Sequence, residues 1–194
     1  MSGREALEHV VVSDPDFLMD SSLFFFINSF DHNALFDVIM PFITEKPYLL
    51  FLVVVIYPAM KDRRKAVPFL VISLIGLLFS DMSGNLLKHL FERPRPCSGL
   101  EEVRLLVTCG HSFSFPSNHA VNAFAVAAIG SYFYRKSAPL FYLIAAAVAF
   151  SRIYVGVHYP SDVFVGAIWG ILCSYMVLSI YSQYYEKRAP VFSG

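Results

Sequence analysis

The chain has 194 residues, one domain's worth by length, with 56% hydrophobic residues, 15 acidic and 15 basic side chains. Soluble domains average about 45–50% apolar residues, so an ordinary soluble fold is disfavoured, and a mean hydropathy of +0.56 points the same way. Zero net charge leaves nothing that argues for a nucleic-acid partner.

The N-terminus, MSGREALEHVVVSDPD, is polar and acidic. It lacks a basic stretch followed by an apolar one, so no cleavable signal peptide is expected. Segment 17–44 is apolar in pieces that Asp31, His32 and Asp37 interrupt. Each piece is too short to span a bilayer, which predicts interfacial helices over an N-terminal segment 1–45; one broken span is the alternative. Five apolar blocks follow, at 47–60, 66–87, 119–134, 138–157 and 162–185. The second and fifth cross a ~30 Å hydrocarbon layer at about 1.5 Å per residue. The first and third need help from flanking residues, and the fourth needs Ser151 and Arg152 to reach spanning length. The expected fold is an all-α polytopic membrane helix bundle with five to six transmembrane helices plus the N-terminal interfacial helices. A single domain covers 1–194, its bundle covers 46–188, and its catalytic loops are 88–118 and 151–162.

Charge placement predicts orientation. KDRRK at 61–65, Arg135 with Lys136, and Lys187 with Arg188 follow the first, third and fifth blocks. Five spans place these clusters on one side, which the positive-inside rule makes cytoplasmic. The loops around 88–118 and 155–161 then face outward, toward the periplasm or exterior if the membrane is a bacterial inner membrane.

Those two loops hold the reactive side chains. Lys88, Arg95 and Arg152 suit the gripping of phosphate oxygens. Backbone N–H groups near Ser117, at the start of the third block, add donors and a helix-dipole field. His158 and Asp162 are four apart. With a helix beginning near Pro160, the Asp162 carboxylate reaches back to one ring N–H and leaves the other nitrogen as a nucleophile. His119 is a second imidazole, able to protonate a leaving oxygen. The sum is a phosphoryl-transfer site with a histidine nucleophile and neither metal nor cofactor. The bland reading of each residue is an anchor at the headgroups or a helix-terminal charge.

Three stretches carry a resemblance. KHLFERPRP resembles K-x6-RP, PSNH resembles PSGH, and SRIYVGVHYPSD resembles SR-x5-H-x3-D. Together they resemble the type-2 phosphatidic acid phosphatase superfamily. The resemblance implies His158 as nucleophile, Asp162 as its orienting partner and His119 as general acid, then base. It also implies that Lys88, Arg95, Ser117 and Arg152 bind phosphate in a metal-independent reaction. Asn118 replaces the glycine of the second motif; asparagine tolerates the left-handed region better than most residues, so activity is expected to survive. The implied function is dephosphorylation of a lipid: a polyprenyl pyrophosphate, a lipid A phosphate, phosphatidylglycerol phosphate or phosphatidic acid. A lipid phosphotransferase and a non-catalytic headgroup-binding protein are the rivals. The partners expected are the lipid substrate and the bilayer, with no obligate protein partner.

Two weaker signals remain. Asp81, Asn85 and Lys88 share one face of the second apolar helix, and Asp81 is expected to support the site or to bond a neighbouring helix. Cys97 and Cys109 can pair if their loop faces an oxidising compartment. Cys173 is expected to serve packing.

Overall fold

The computed structural model describes residues 15–29 and 34–186. Its described elements are helices α1 (Pro15–Asn28), α2 (Ala34–Glu45), α3 (Pro47–Lys61), α4 (Arg63–Phe91), the single turn α5 (Pro96–Gly99), α6 (Asn118–Phe133), α7 (Ala138–Tyr154) and α8 (Pro160–Tyr181). The five apolar blocks each coincide with one of α3, α4, α6, α7 and α8. Asp31, His32, Lys187 and Arg188 lie outside the described residues.

Helix α4 shows how the pattern dictates the packing. Leu70, Leu74, Leu78, Met82, Leu86 and Leu90 recur every four residues and are all exposed. Ile72, Gly76, Ser80, Gly84 and Lys88 recur on the opposite face and are all buried. A 29-residue helix with its greasiest stripe outward and its small residues inward is inverted relative to a soluble helix. Small residues on the inner face let helices approach closely when lipid surrounds them. The contact of α6 with α8 is the extreme case: a Cβ on Gly170 would lie 2.1 Å from the Val121 carbonyl oxygen. Helix α6 is central, packed by α4, α7 and α8.

Among the described residues, three helical stretches are long and apolar enough to cross a membrane: Arg63–Gly99, Arg135–Tyr154 and Pro160–Tyr184. Helices α2 and α3 meet at a 78° bend and qualify together as one broken span. Helix α6, with 16 residues, falls short by length alone, so three or four crossings stand on length where the sequence suggested five to six. Helices α1 and α2 bury Phe24, Asn28, Met40 and Thr44 and pack on α7 and α8. The polar side chains that interrupt this segment fasten it to the loops. The Asn28 amide holds both the N–H and the carbonyl of Arg104, at 2.9 and 2.8 Å. Asp37 accepts from the Tyr154 hydroxyl at 2.8 Å and from Arg104.

Because the successive helices α4, α6, α7 and α8 alternate in direction, the C-terminal end of α4, with Lys88, meets the N-terminal ends of α6 and α8, with Ser117 and Asp162, at one end of the bundle. The turns at 61–65 and 135–136 lie at the other end.

Candidate active site

Helix α8 opens at Pro160, so Asp162 is the third residue of its first turn. Its carboxylate turns back to the preceding loop and accepts the Tyr159 N–H at 2.9 Å. The same oxygen faces His158 Nδ1 at 3.4 Å and accepts from the Ser114 hydroxyl. The other oxygen accepts from Arg93 Nη1 at 2.7 Å. With Nδ1 turned to Asp162, Nε2 is left as the acceptor and faces Arg95 Nη1, which donates to it at 3.3 Å. His158 and Asp162 are both buried. Burial holds the His158 pKa down to about 3, with Arg152 and Arg95 adding to the effect against Asp162. The ring is therefore neutral at ordinary pH, and its Nε2 lone pair points toward Arg95.

The cations converge as the motif spacing suggested, but they divide the work differently. Lys88, buried, gives 2.7, 3.2 and 2.7 Å hydrogen bonds to the carbonyls of Phe113, Ser114 and Pro116. An ammonium has three donors, so Lys88 spends all of them on the loop and offers the site its charge. Arg95 gives Nε to the Ser112 carbonyl at 2.7 Å and Nη2 to the Ser112 hydroxyl at 2.9 Å. Arg152 is buried, and its Nε has no partner among the described residues. No carboxylate among the described residues lies in ion-pair range of Arg152. The charges of Arg152, Arg95 and Lys88 all act on His119. A buried guanidinium without a carboxylate is costly unless an anion sits beside it.

Ser117 caps α6, but its own N–H is bonded to the Asp162 carbonyl at 3.0 Å. That bond ties the second motif to the third. The free donors are the N–H groups of the first turn, at Asn118, His119 and Ala120, which have no carbonyl within their helix. The Ser117 hydroxyl is buried and has no partner among the described residues. A helix N-terminus of this kind favours an anion.

Three contributors escaped the sequence. Ser114 bonds Asp162. Arg93 bridges Asp162 to Asp20 of α1, with Nη2 at 2.6 Å from Asp20, and stacks over the Tyr159 ring at 4.0 Å. Asp20 also accepts the Ser161 N–H at 2.9 Å. A charged residue inside the apolar run DFLMDSSLFFFIN was the available signal. The loop itself is closed by a Cys97–Cys109 disulfide with Cα atoms 6.1 Å apart. Cys173 is free and buried. Among the described residues, no three His, Cys, Asp or Glu side chains converge as metal ligands.

An apolar groove of about 440 Å³ runs from His119 between α3, α4 and α6, lined by residues such as Leu52, Val55, Leu70, Leu77 and Val126. Anion site and apolar groove therefore adjoin at one imidazole.

The chain is similar to several known proteins. The model of the PAP2 superfamily matches residues 69–186. A lipid A 4'-phosphatase of Bacteroides thetaiotaomicron is 29% identical, over 78% of this chain and 72% of its own. The undecaprenyl-diphosphatase BcrC of Bacillus subtilis is 28% identical, over 75% of each chain. The crystal structure of a PAP2 type phosphatidylglycerolphosphate phosphatase from Bacillus subtilis superposes with a TM-score of 0.66 at 26% identity, covering 94% of each chain. The family match covers all three motifs and the helices that bring them together, and the chain belongs to the PAP2 superfamily.

Proposed function

We propose that the protein is a membrane phosphatase that removes phosphate from a lipid phosphate or pyrophosphate through a phosphohistidine. The observation that carries this reading is the buried Arg152, without a carboxylate partner among the described residues, whose charge acts on both His158 and His119, the latter lining an apolar groove. Headgroup and tail requirements are met at one place.

In the proposed reaction Arg95, Arg152, the Ser117 hydroxyl and the first-turn N–H groups of α6 hold the phosphoryl oxygens, with the Lys88 charge behind them. His158 Nε2 attacks phosphorus and the bond to the leaving oxygen breaks. His119 gives that oxygen its proton. Asp162 stabilises the cationic ring through Nδ1–H. His119 then takes a proton from water, the hydroxide attacks phosphorus, the P–N bond breaks and inorganic phosphate leaves. Preorganised charge in a poorly hydrated site supplies most of the rate. The two basic turns at the opposite end of the bundle favour an outward-facing site in an inner membrane.

The test is phosphate release from a panel of lipid phosphates by purified protein in EDTA. We expect release from the wild type and none from His158→Ala. Release that persists in that variant overturns the phosphohistidine.

A further inference from the structure

The site leaves one set of side chains unused. Asp81 and Asn85 are one turn apart on α4, and Asn118 and Asn122 one turn apart on α6, so the two pairs face each other across the seam. Asn118 Nδ2 bonds Asp81 at 3.2 Å and Asn85 at 2.9 Å. Asn122 Nδ2 bonds Asp81 at 3.1 Å and Asn85 Nδ2 bonds it at 3.0 Å. Gly84 leaves the room for this: a Cβ there would lie 2.8 Å from Asn118 Oδ1. The glycine to asparagine departure in the second motif is thus matched by a glycine on the facing helix.

A structural clamp would be sealed within the seam. Asp81, Asn118 and Asn122 instead line the apolar groove, beside His119. Most of their unspent capacity is to accept, with one N–H left on Asn122 Nδ2. A carboxylate accepts about four hydrogen bonds, and Asp81 receives three. Asn118 Oδ1 and Asn122 Oδ1 are buried and have no partner among the described residues. No cation among the described residues lies in ion-pair range of Asp81. The groove beside His119 therefore has more acceptor than donor capacity to spare and carries one negative charge.

We propose that Asp81 and Asn122 form a specificity cradle that accepts hydrogen bonds from hydroxyl or N–H groups on the substrate, between its phosphate ester and its tail. This rests on the lipid phosphatase reading and narrows it. The leaving oxygen lies at His119, so the next atoms of the substrate lie against the cradle. A glycerol- or sugar-based lipid phosphate presents donors there. A polyprenyl pyrophosphate presents a second phosphate, which Asp81 repels, and then hydrocarbon, which leaves the acceptors unpaired. Sites built for a hydroxyl reject analogues that lack it far more strongly than apolar pockets reject an added one.

The experiment compares two lipids that differ by one oxygen: a 1-acyl-glycerol 3-phosphate with a free 2-hydroxyl and its 2-deoxy analogue. Farnesyl diphosphate and an acylated glucosamine 1-phosphate serve as further arms, the last separating sugar from glycerol donors. Purified full-length protein in detergent micelles is assayed for kcat/KM. We expect the wild type to prefer the hydroxyl-bearing lipid over its deoxy analogue by at least about 10-fold. Asp81→Asn and Asn122→Leu should each bring that ratio toward unity. A ratio near unity in the wild type, with phosphate released from both lipids, overturns the cradle and leaves the phosphatase reading standing. A preference that survives in both variants also overturns it. Release from none of the four lipids overturns the phosphatase reading itself, and the cradle with it.

Discussion

Arg93 and Asp162 are joined at 2.7 Å, and the same guanidinium reaches Asp20 at 2.6 Å. The proposed orienting carboxylate is thus held by a cation that the N-terminal helix holds in turn. Asp20→Asn keeps the shape and removes one of the two charges on Arg93. We expect kcat for lipid phosphate hydrolysis to fall about 10-fold with KM nearly unchanged. Phosphate release across a substrate titration measures the split. An unaltered kcat with a lowered melting temperature would reduce Asp20 to an anchor.

Asp162→Asn tests the partner of that guanidinium. The amide can donate to Nδ1 and so stabilise the tautomer with its proton on Nε2, the wrong one for attack. By analogy with the aspartate of a serine protease triad, kcat falls about 10⁴-fold. Trapping of a phosphorylated enzyme at low temperature should fall with it. The alternative, a carboxylate that serves only as a helix cap, predicts a loss of stability without loss of trapping.

The Cys97–Cys109 disulfide closes a short loop that also carries Arg104 and leads to Lys88's carbonyl partners. Replacing both cysteines by serine should lower stability by about 3 kcal/mol through loop entropy. Thermal unfolding in detergent should show the same loss when the wild type is reduced. Equal melting temperatures for oxidised and reduced protein would refute it.

His158 stays neutral in the folded protein down to about pH 3, below its ordinary value of 6.5, because it is buried. Between those values the unfolded chain binds a proton that the folded one refuses. The contribution is full above about pH 6.5 and shrinks as pH falls toward 3. We expect the melting temperature to drop with acidification over that window, and His158→Gln to flatten part of the drop. A curve of the same slope in the variant would assign acid sensitivity to other groups.

The helices were legible because long apolar runs permit little else: blocks 66–87 and 162–185 became α4 and α8 with boundaries moved by a few residues. Convergence of Lys88, Arg95, Ser117, Arg152 and His158 at one end was legible from alternation of helix direction. What each cation touches was not. Lys88 looks like a phosphate ligand in the sequence, yet its donors go to three carbonyls of a 31-residue stretch whose path no periodicity reports. Ser114 and Asp20 were invisible for a related reason: each acts through a partner at least 44 residues away, and a lone serine or aspartate carries no spacing. Asp81 was visible as a charge in an apolar helix, whereas its pairing with Asn118 and Asn122 needed the second helix in place.

The bond from Asp20 to Ser161 spans 141 positions. A ribosome delivers the first of these residues long before the second. Until α8 is in place, Arg93 has one acidic neighbour instead of two, and His158 lacks the Asp162 carboxylate that faces its Nδ1. A partly made protein therefore holds the cations before Asp162 can orient His158, and the proposed chemistry waits for α8. A fusion or truncation that delays insertion of α8 is expected to yield a membrane protein that is present and inert.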